Sequence, residues 1–84
     1  SFFYFLFSNG IIIQWGQTVV RSGNGVLGVV LPISFTTTNY GIAISNITTN
    51  TGQQESGTIQ NKAPGSFNVF AWGNRATGWI AVGY

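Results

Sequence analysis

Side chains that could act as general acids, general bases or activated nucleophiles are scarce in this sequence. It contains no His and no Cys, and its strongly ionising side chains are Arg21, Glu55, Lys62 and Arg75. A Ser or Thr nucleophile needs a base, and Lys62 is the only candidate for that role. Glycoside hydrolysis needs two carboxylates, but Glu55 is the only acidic side chain. The composition therefore predicts that the protein is not an enzyme.

Ligand sets for metals, phosphates and nucleic acids are equally poor. Zn and Fe sites are built from His and Cys, and a lone Glu55 with carbonyl oxygens would hold Ca²⁺ weakly. The segment Gly23-Asn24-Gly25 precedes a predicted strand rather than a helix, which is not typical of a phosphate-binding loop. The pI near 9.5 rests on scattered cations and not on a basic stripe. We therefore predict no metal, no cofactor and no nucleic-acid partner.

The residue types that remain favour binding through aromatic and polar side chains. Three Trp is a large number for 84 residues, and an indole combines a broad apolar face with an N–H donor. Trp72 precedes a predicted loop, Gly73–Gly78, where it could offer a stacking platform to a sugar or a peptide loop. The polar segment Thr48–Gly57 is the longest predicted loop. The candidate ligand-binding residues are Trp72, Asn74, Arg75, Thr77, Gln53, Gln54 and Glu55. The alternatives are packing for Trp72 and solvated loop positions for the others.

The apolar residues need more burial than so short a chain supplies by itself. Only 5% of the residues are charged, against roughly 25% in a typical soluble domain. A chain of this length buries only about 60–65% of its unfolded surface. Without Cys or His to hold disulfides or zinc, we expect stabilisation by association with further copies of the chain. The candidate core and subunit-interface residues are Ile11, Ile13, Trp15, Trp79 and Tyr84.

Turn signals divide the chain into short apolar segments with the length of strands. Asn9-Gly10 predicts a hairpin of Phe2–Phe7 with Ile11–Gly16. In the second of these strands, Ile12 and Gln14 share one face, opposite Ile13 and Trp15. Further strands are predicted at Val26–Leu31, Tyr40–Ile47, Thr58–Asn61, Phe67–Trp72 and Trp79–Tyr84, the last two as a hairpin. Tyr40–Ile47 alternates as a half-buried strand does, with Tyr40, Ile42 and Ile44 on one face and Gly41, Ala43 and Ser45 on the other. Pro32 turns the chain, so that Ile33–Thr36 continues in a new direction. Seven short strands predict an all-β fold, a small antiparallel β-sandwich.

Neither a membrane span nor a second domain is predicted. The apolar runs Phe2–Phe7 and Val26–Leu31 fall well short of the ~18 residues that a transmembrane helix needs. The start without Met and with an aromatic run indicates a piece of a longer chain. Residues 1–84 are expected to form one domain, with residues 1–8 as a candidate junction to an upstream part.

Three segments in order resemble the C-terminal domain of gp53-like bacteriophage tail fibre proteins. They are NGIIIQWG at Asn9–Gly16, PISF at Pro32–Phe35 and WIAVGY at Trp79–Tyr84. The resemblance spans residues 9–84, and the aromatic start at Phe2–Phe7 departs from the family pattern. It implies a homotrimeric β-structured knob at the distal end of a virion's tail fibre, attached to a fibre shaft. Such a knob is expected to bind a bacterial surface glycan or an outer-membrane protein. The alternative is a structural trimerisation cap that binds no receptor.

Overall fold

Two antiparallel sheets make up the fold. The computed structural model describes residues 2–19, 23, 25–47, 57–71 and 76–84. Sheet A has the strand order β1-β2-β7-β4 and sheet B the order β3-β6-β5. The strands are β1 (Phe2–Leu6), β2 (Ile12–Gln17), β3 (Gly25–Val30), β4 (Gly41–Ile47), β5 (Thr58–Ala63), β6 (Ser66–Ala71) and β7 (Ala76–Gly83). The prediction of an all-β fold with seven short strands is confirmed. Among the described residues no helix is long and apolar enough to span a membrane.

The predicted hairpin at Asn9-Gly10 is confirmed. β1 pairs with β2, and Phe5 lies opposite Ile13. Gly10 has a φ of 89°, a conformation that suits Gly in a tight turn. The Asn9 side-chain oxygen accepts a hydrogen bond from the N–H of Ile11 at 3.1 Å. The turn residues therefore fix the register of the first strand pair.

The core lies between the two sheets, and β7 crosses its centre. β7 pairs with β2 on one side and β4 on the other. The alternation predicted for Tyr40–Ile47 is confirmed, because Tyr40, Ile42 and Ile44 face the core while Gly41, Ala43 and Ser45 are exposed. The buried apolar residues are Ile12, Val29, Leu31, Phe35, Tyr40, Phe67, Val69, Ala76, Trp79 and Ala81.

The predicted hairpin of Phe67–Trp72 with Trp79–Tyr84 is wrong. β6 is the central strand of sheet B, whereas β7 belongs to sheet A, so the connection between them crosses from one sheet to the other. The physical reason is packing: Phe67 meets Trp79 edge-on across the core, with ring centroids 5.7 Å apart. Two strands that face each other through the core cannot also lie side by side in one sheet. A Gly-rich segment is compatible both with a hairpin turn and with a crossover between sheets, so its composition does not distinguish the two connections.

The segment after Pro32 is not a strand. Its backbone groups pair with a side chain and with other connections instead of a neighbouring strand. The buried Gln14 amide donates to the carbonyl of Ile33 at 2.8 Å and accepts from its N–H at 2.9 Å. Phe35 N–H donates to the carbonyl of Pro64 at 2.8 Å. Gln14 thus replaces a strand partner and ties this connection to sheet A.

Tyr40 closes the end of the sandwich at which this connection lies. Its hydroxyl donates to the carbonyl of Ala63 at 2.6 Å, and its ring stacks on Phe35 with centroids 4.2 Å apart. Lys62 Nζ lies 4.8 Å from the ring centroid and donates to the Tyr40 carbonyl at 2.6 Å. A Cβ built on Gly83 would lie 2.6 Å from the Cβ of Tyr40, so only Gly fits there without a shift. Tyr40 therefore joins β7 of sheet A to the β5–β6 turn of sheet B.

We expect Tyr40→Phe to lower the free energy of unfolding by about 1–2 kcal/mol at neutral pH, because buried carbonyls lose a donor. Burial raises the pKa of the Tyr40 phenol above its usual value of 10.0. Its neutral form is therefore favoured in the folded state, and the wild-type protein loses stability as pH rises above 10. Urea unfolding from neutral pH to above pH 10 should show that the difference in the free energy of unfolding between wild type and variant becomes smaller as pH rises. A difference that grows with pH would contradict the prediction.

Candidate functional site

Three connections between strands begin and end at the same end of the sandwich. In sheet A, Ile47 at the end of β4 lies opposite Ala76 at the start of β7. In sheet B, Gly25 at the start of β3 lies opposite Ala71 at the end of β6. Gln17 near the end of β2 lies opposite Gly78, and Thr58 at the start of β5 lies opposite Phe70. The strand ends that flank the β2–β3, β4–β5 and β6–β7 connections therefore lie at one end of each sheet, opposite the end that Tyr40 closes.

Thr18 and Thr77 extend the pairing of β2 with β7 at this end. Thr18 N–H donates to the Thr77 carbonyl at 2.9 Å, and Thr77 N–H donates to the Thr18 hydroxyl at 2.9 Å. Thr77 was expected in a loop, but it lies in β7 and is fully buried. The reason is that strand pairing continues beyond Gln17. A buried Thr77 side chain presents no surface to a ligand, and it anchors the base of the β6–β7 connection instead.

The other predicted ligand-binding residues belong to the two remaining connections at this end. They are Trp72, Asn74, Arg75, Gln53, Gln54 and Glu55, and all six lie outside the described residues. The described strand ends on either side of the two segments, β4 and β5 for one and β6 and β7 for the other, lie at the same end of their sheets. The two segments are far apart in the sequence, and nothing in the sequence predicted this shared placement of their flanking strands.

A cleft of about 640 Å³ runs between the end of β2 and β3. This volume is typical of sites for small molecules, about 300–1,000 Å³. Trp79 lies in its wall, and Gln17 and Thr18 place it beside the end that carries the three connections. The remaining lining residues are Val19, Leu27, Gly28, Val29, Val30, Leu31 and Pro32. Such a wall suits the apolar face of a ring rather than a charged group.

The described part of the chain carries little acid–base chemistry. Its one charged side chain is Lys62, whose ammonium group is already bound to the Tyr40 carbonyl. No group of three or more His, Cys, Asp or Glu that could hold a metal ion occurs among the described residues.

The candidate interface residues divide between the two faces of sheet A. Trp79 points into the core and is buried. Ile13 and Trp15 lie on the opposite side, which we call the outer face of sheet A. The strand pairing defines this face by Phe5, Ile13, Trp15, Ala43, Ile80 and Val82. Phe7, Ile11 and Tyr84 directly adjoin the strand ends in the same alternation, and we include them in the face.

Sequence reasoning missed the roles of Gln14, Thr18 and Tyr40. Gln14 carried the clearest signal, because it alternates in phase with Ile12 and is therefore a polar residue on the core side of an apolar strand. A polar side chain there needs hydrogen-bond partners. Its hydrogen-bond partner Ile33 lies 19 positions away in the sequence, and no local sequence pattern predicts this pairing.

Comparison with solved structures defines the class of domain. The fold is similar to the C-terminal part of the R2 pyocin fibre of P. aeruginosa, with a TM-score of 0.75 and 19% identity over 100% of this chain. It is equally similar to an N-truncated R2-type pyocin tail fibre, with a TM-score of 0.74 and 19% identity. This chain covers only 26% and 38% of those two chains. The fold is thus one found in tail fibres.

The family follows from the sequence itself. Residues 6–84 match the family described as "Putative tail fiber protein gp53-like, C-terminal", and the chain belongs to that family. A search of curated proteins gives no match. The chain is therefore a C-terminal domain of a phage-type tail fibre, as the resemblance of its three segments implied.

Proposed function

We propose that this domain is the distal, homotrimeric tip of the fibre and binds a receptor on the bacterial surface. The receptor is a glycan or an outer-membrane protein, and the binding surface is the end that carries the three connections. Binding involves no chemical step on the receptor. The observation that carries the proposal is that the strand ends flanking these connections lie at the same end of the two sheets, beside a cleft with Trp79 in its wall.

Physical chemistry supports a glycan or a polar protein loop as the ligand. The segments that join the strands at this end contain Trp72, Asn74, Arg75 and the polar run Gln53-Gln54-Glu55. An aromatic face stacks on the apolar face of a sugar ring, while amide and guanidinium groups bind its hydroxyls. Rigid strands that present variable connections are a common arrangement for binding sites.

A cell-binding assay tests the proposal. Fluorescently labelled domain is titrated onto a panel of Gram-negative strains, and the variants are then compared on a strain that binds. We expect Trp72→Ala and Asn74→Ala each to weaken binding at least about 10-fold, as for residues at the centre of an interface. The matched control is Asn39→Ala at the opposite end, where Asn39 is exposed. Binding to no strain, or equal losses for Asn74→Ala and Asn39→Ala, would contradict the proposal.

A structural trimerisation cap is the second candidate function. The apolar outer face of sheet A favours it, since such a face suits self-association and not receptor recognition. In that case the wild-type domain does not bind cells, and substitutions in the connections change nothing in the cell-binding assay. Light scattering across a dilution series tests the homotrimer in both cases, with an expected mass of three chains that does not change with concentration. A stable monomer would exclude both trimeric forms.

A further inference from the structure

We propose that the outer face of sheet A is the contact surface between copies of this chain. The face has a bulky half on β1 and β2 and a small-residue half on β4 and the start of β7. The bulky half of one copy packs into the small-residue half of the neighbouring copy. The inference rests on the homotrimer of the proposed function and adds the surface and the mode of packing. Its occupant is a second copy of the chain.

Strand pairing aligns the apolar side chains of this face in rows across sheet A. One row runs from Phe5 through Ile13 and Val82 to Gly41. In the next row, Trp15 lies opposite Ile80, which lies opposite Ala43. Each row therefore begins with an aromatic side chain at the β1–β2 side and ends with a small residue at β4.

The two halves of the face have complementary shapes. Phe5 and Trp15 stand together on the bulky half, with ring centroids 5.5 Å apart. On the other half, the small residues Ala43, Ser45 and Gly78 leave a depression of about 230 Å³, bounded by Ile80. Since an aromatic side chain fits a depression of this size, the bulky half of one copy is matched by the small-residue half of another.

The exposed apolar area of the outer face lies at the upper end of the range for a monomer. Phe5 is 62% exposed, Tyr84 61%, and Ile80 and Val82 42% each. With about 200 Å² for a fully exposed aromatic side chain, the face offers on the order of 600 Å² of apolar surface. The largest patch on a typical monomer is about 300–600 Å² and is often functional. In a closed ring each copy divides this surface between two neighbours, so each contact is smaller than the roughly 800 Å² per partner of a standard interface, and the trimer is stabilised by three such contacts together.

The chemistry of the face points to a copy of the chain rather than to a charged partner or a lipid surface. None of the residues that define the outer face is charged. It therefore attracts no complementary charge, and it lacks the Lys and Arg by which surface-bound proteins approach anionic lipids. Two uncharged faces meet without leaving an unpaired charge behind.

Val82→Glu and Val26→Glu make a matched pair of variants. Both valines lie in strands and are similarly exposed, at 42% and 49%, but Val82 lies on the outer face and Val26 on sheet B. We expect Val82→Glu to raise the concentration at which the trimer dissociates at least 100-fold, because burying its carboxylate is costly. Val26→Glu is expected to keep the wild-type mass. Circular dichroism shows whether each variant keeps its fold.

A second variant tests the depression directly, and it keeps the test decisive if Val82→Glu does not fold. Ala43→Trp fills the small-residue half at an exposed position, and it is expected to dissociate the trimer while the strand content stays unchanged. Thr58→Trp, at an exposed position of β5 in sheet B, is the control and is expected to remain trimeric. Dissociation of the outer-face variants alone supports the inference.

Other outcomes overturn the inference in distinguishable ways. If wild type has the mass of three chains and both Val82→Glu and Ala43→Trp keep it, the trimer stands but uses another surface. If Val26→Glu or Thr58→Trp dissociates it equally, the contact is not confined to this face. If wild type is a monomer that sediments with phosphatidylcholine vesicles, the face binds lipid, and both the homotrimer and this contact are excluded.

Discussion

Phe67→Ala is expected to lower the free energy of unfolding by about 3–5 kcal/mol, the cost of removing a buried aromatic side chain and leaving a cavity. Phe67 is fully buried at the centre of sheet B and meets Trp79 of sheet A edge-on, with the ring planes at 83°. It therefore joins β6 of sheet B to β7 of sheet A across the core. A domain of this size has a total stability of roughly 4–13 kcal/mol. The expected loss for Phe67→Ala is thus a large share of the total free energy of unfolding.

Urea unfolding, followed by Trp fluorescence and circular dichroism at one protein concentration, measures this effect. Phe67→Leu is the matched control, because it keeps an apolar side chain of similar volume and should cost less than about 1.5 kcal/mol. Equal costs for the two variants would show that the loss comes from the aromatic ring and its contact with Trp79 rather than from apolar volume. A loss below about 1 kcal/mol for Phe67→Ala would contradict its place at the centre of the core.

Gln14→Leu is expected to cost about 2–4 kcal/mol, although it replaces a polar core residue by an apolar one of similar size. The Gln14 amide binds both the N–H and the carbonyl of Ile33, at 2.9 and 2.8 Å. Leu would leave both backbone groups without a partner and release the connection after Pro32 from sheet A. The strand has no second residue that could take over this role, since its other inward positions are Ile12 and Gly16, and neither has a polar side chain.

The matched control for Gln14 lies on the same strand. Gln17→Leu changes the same residue types at an exposed position and should alter stability by less than about 0.5 kcal/mol. Hydrogen exchange of the Ile33 amide adds a local measurement, and its protection should fall in Gln14→Leu but not in Gln17→Leu. Equal stability of the two variants would mean that the hydrogen bonds of Gln14 are replaced by water without cost.

Local signals in the sequence predicted local structure well. Asn9-Gly10 specified the β1–β2 hairpin through the conformations that the two residues tolerate, and the alternation of Tyr40–Ile47 specified which face of β4 is buried. Both features depend on neighbouring residues only. The contact of Phe67 with Trp79 depends on two sheets meeting, and the sequence therefore suggested a hairpin where the chain crosses between sheets.

The candidate site rests on residue types that are visible in the sequence, and its ligand-binding role stays a prediction. The shared end of the strands that flank its two segments follows from strand order, which composition does not encode. Thr77 shows the limit most clearly, because its type suits a loop and its burial results from pairing with Thr18. The receptor-binding roles of the residues in the connections remain predictions for the cell-binding assay.

The central position of β7 has a consequence for biosynthesis. β7 is the last of the seven strands in the chain, yet it lies between β2 and β4. While the ribosome is still making the earlier strands, β2 and β4 have no partner between them, and sheet A cannot form. Pairings between distant parts of a chain are slow to form and leave apolar strand edges open meanwhile. The nascent domain therefore remains unfinished until its final strand has been translated, and it folds as a late, all-or-none event.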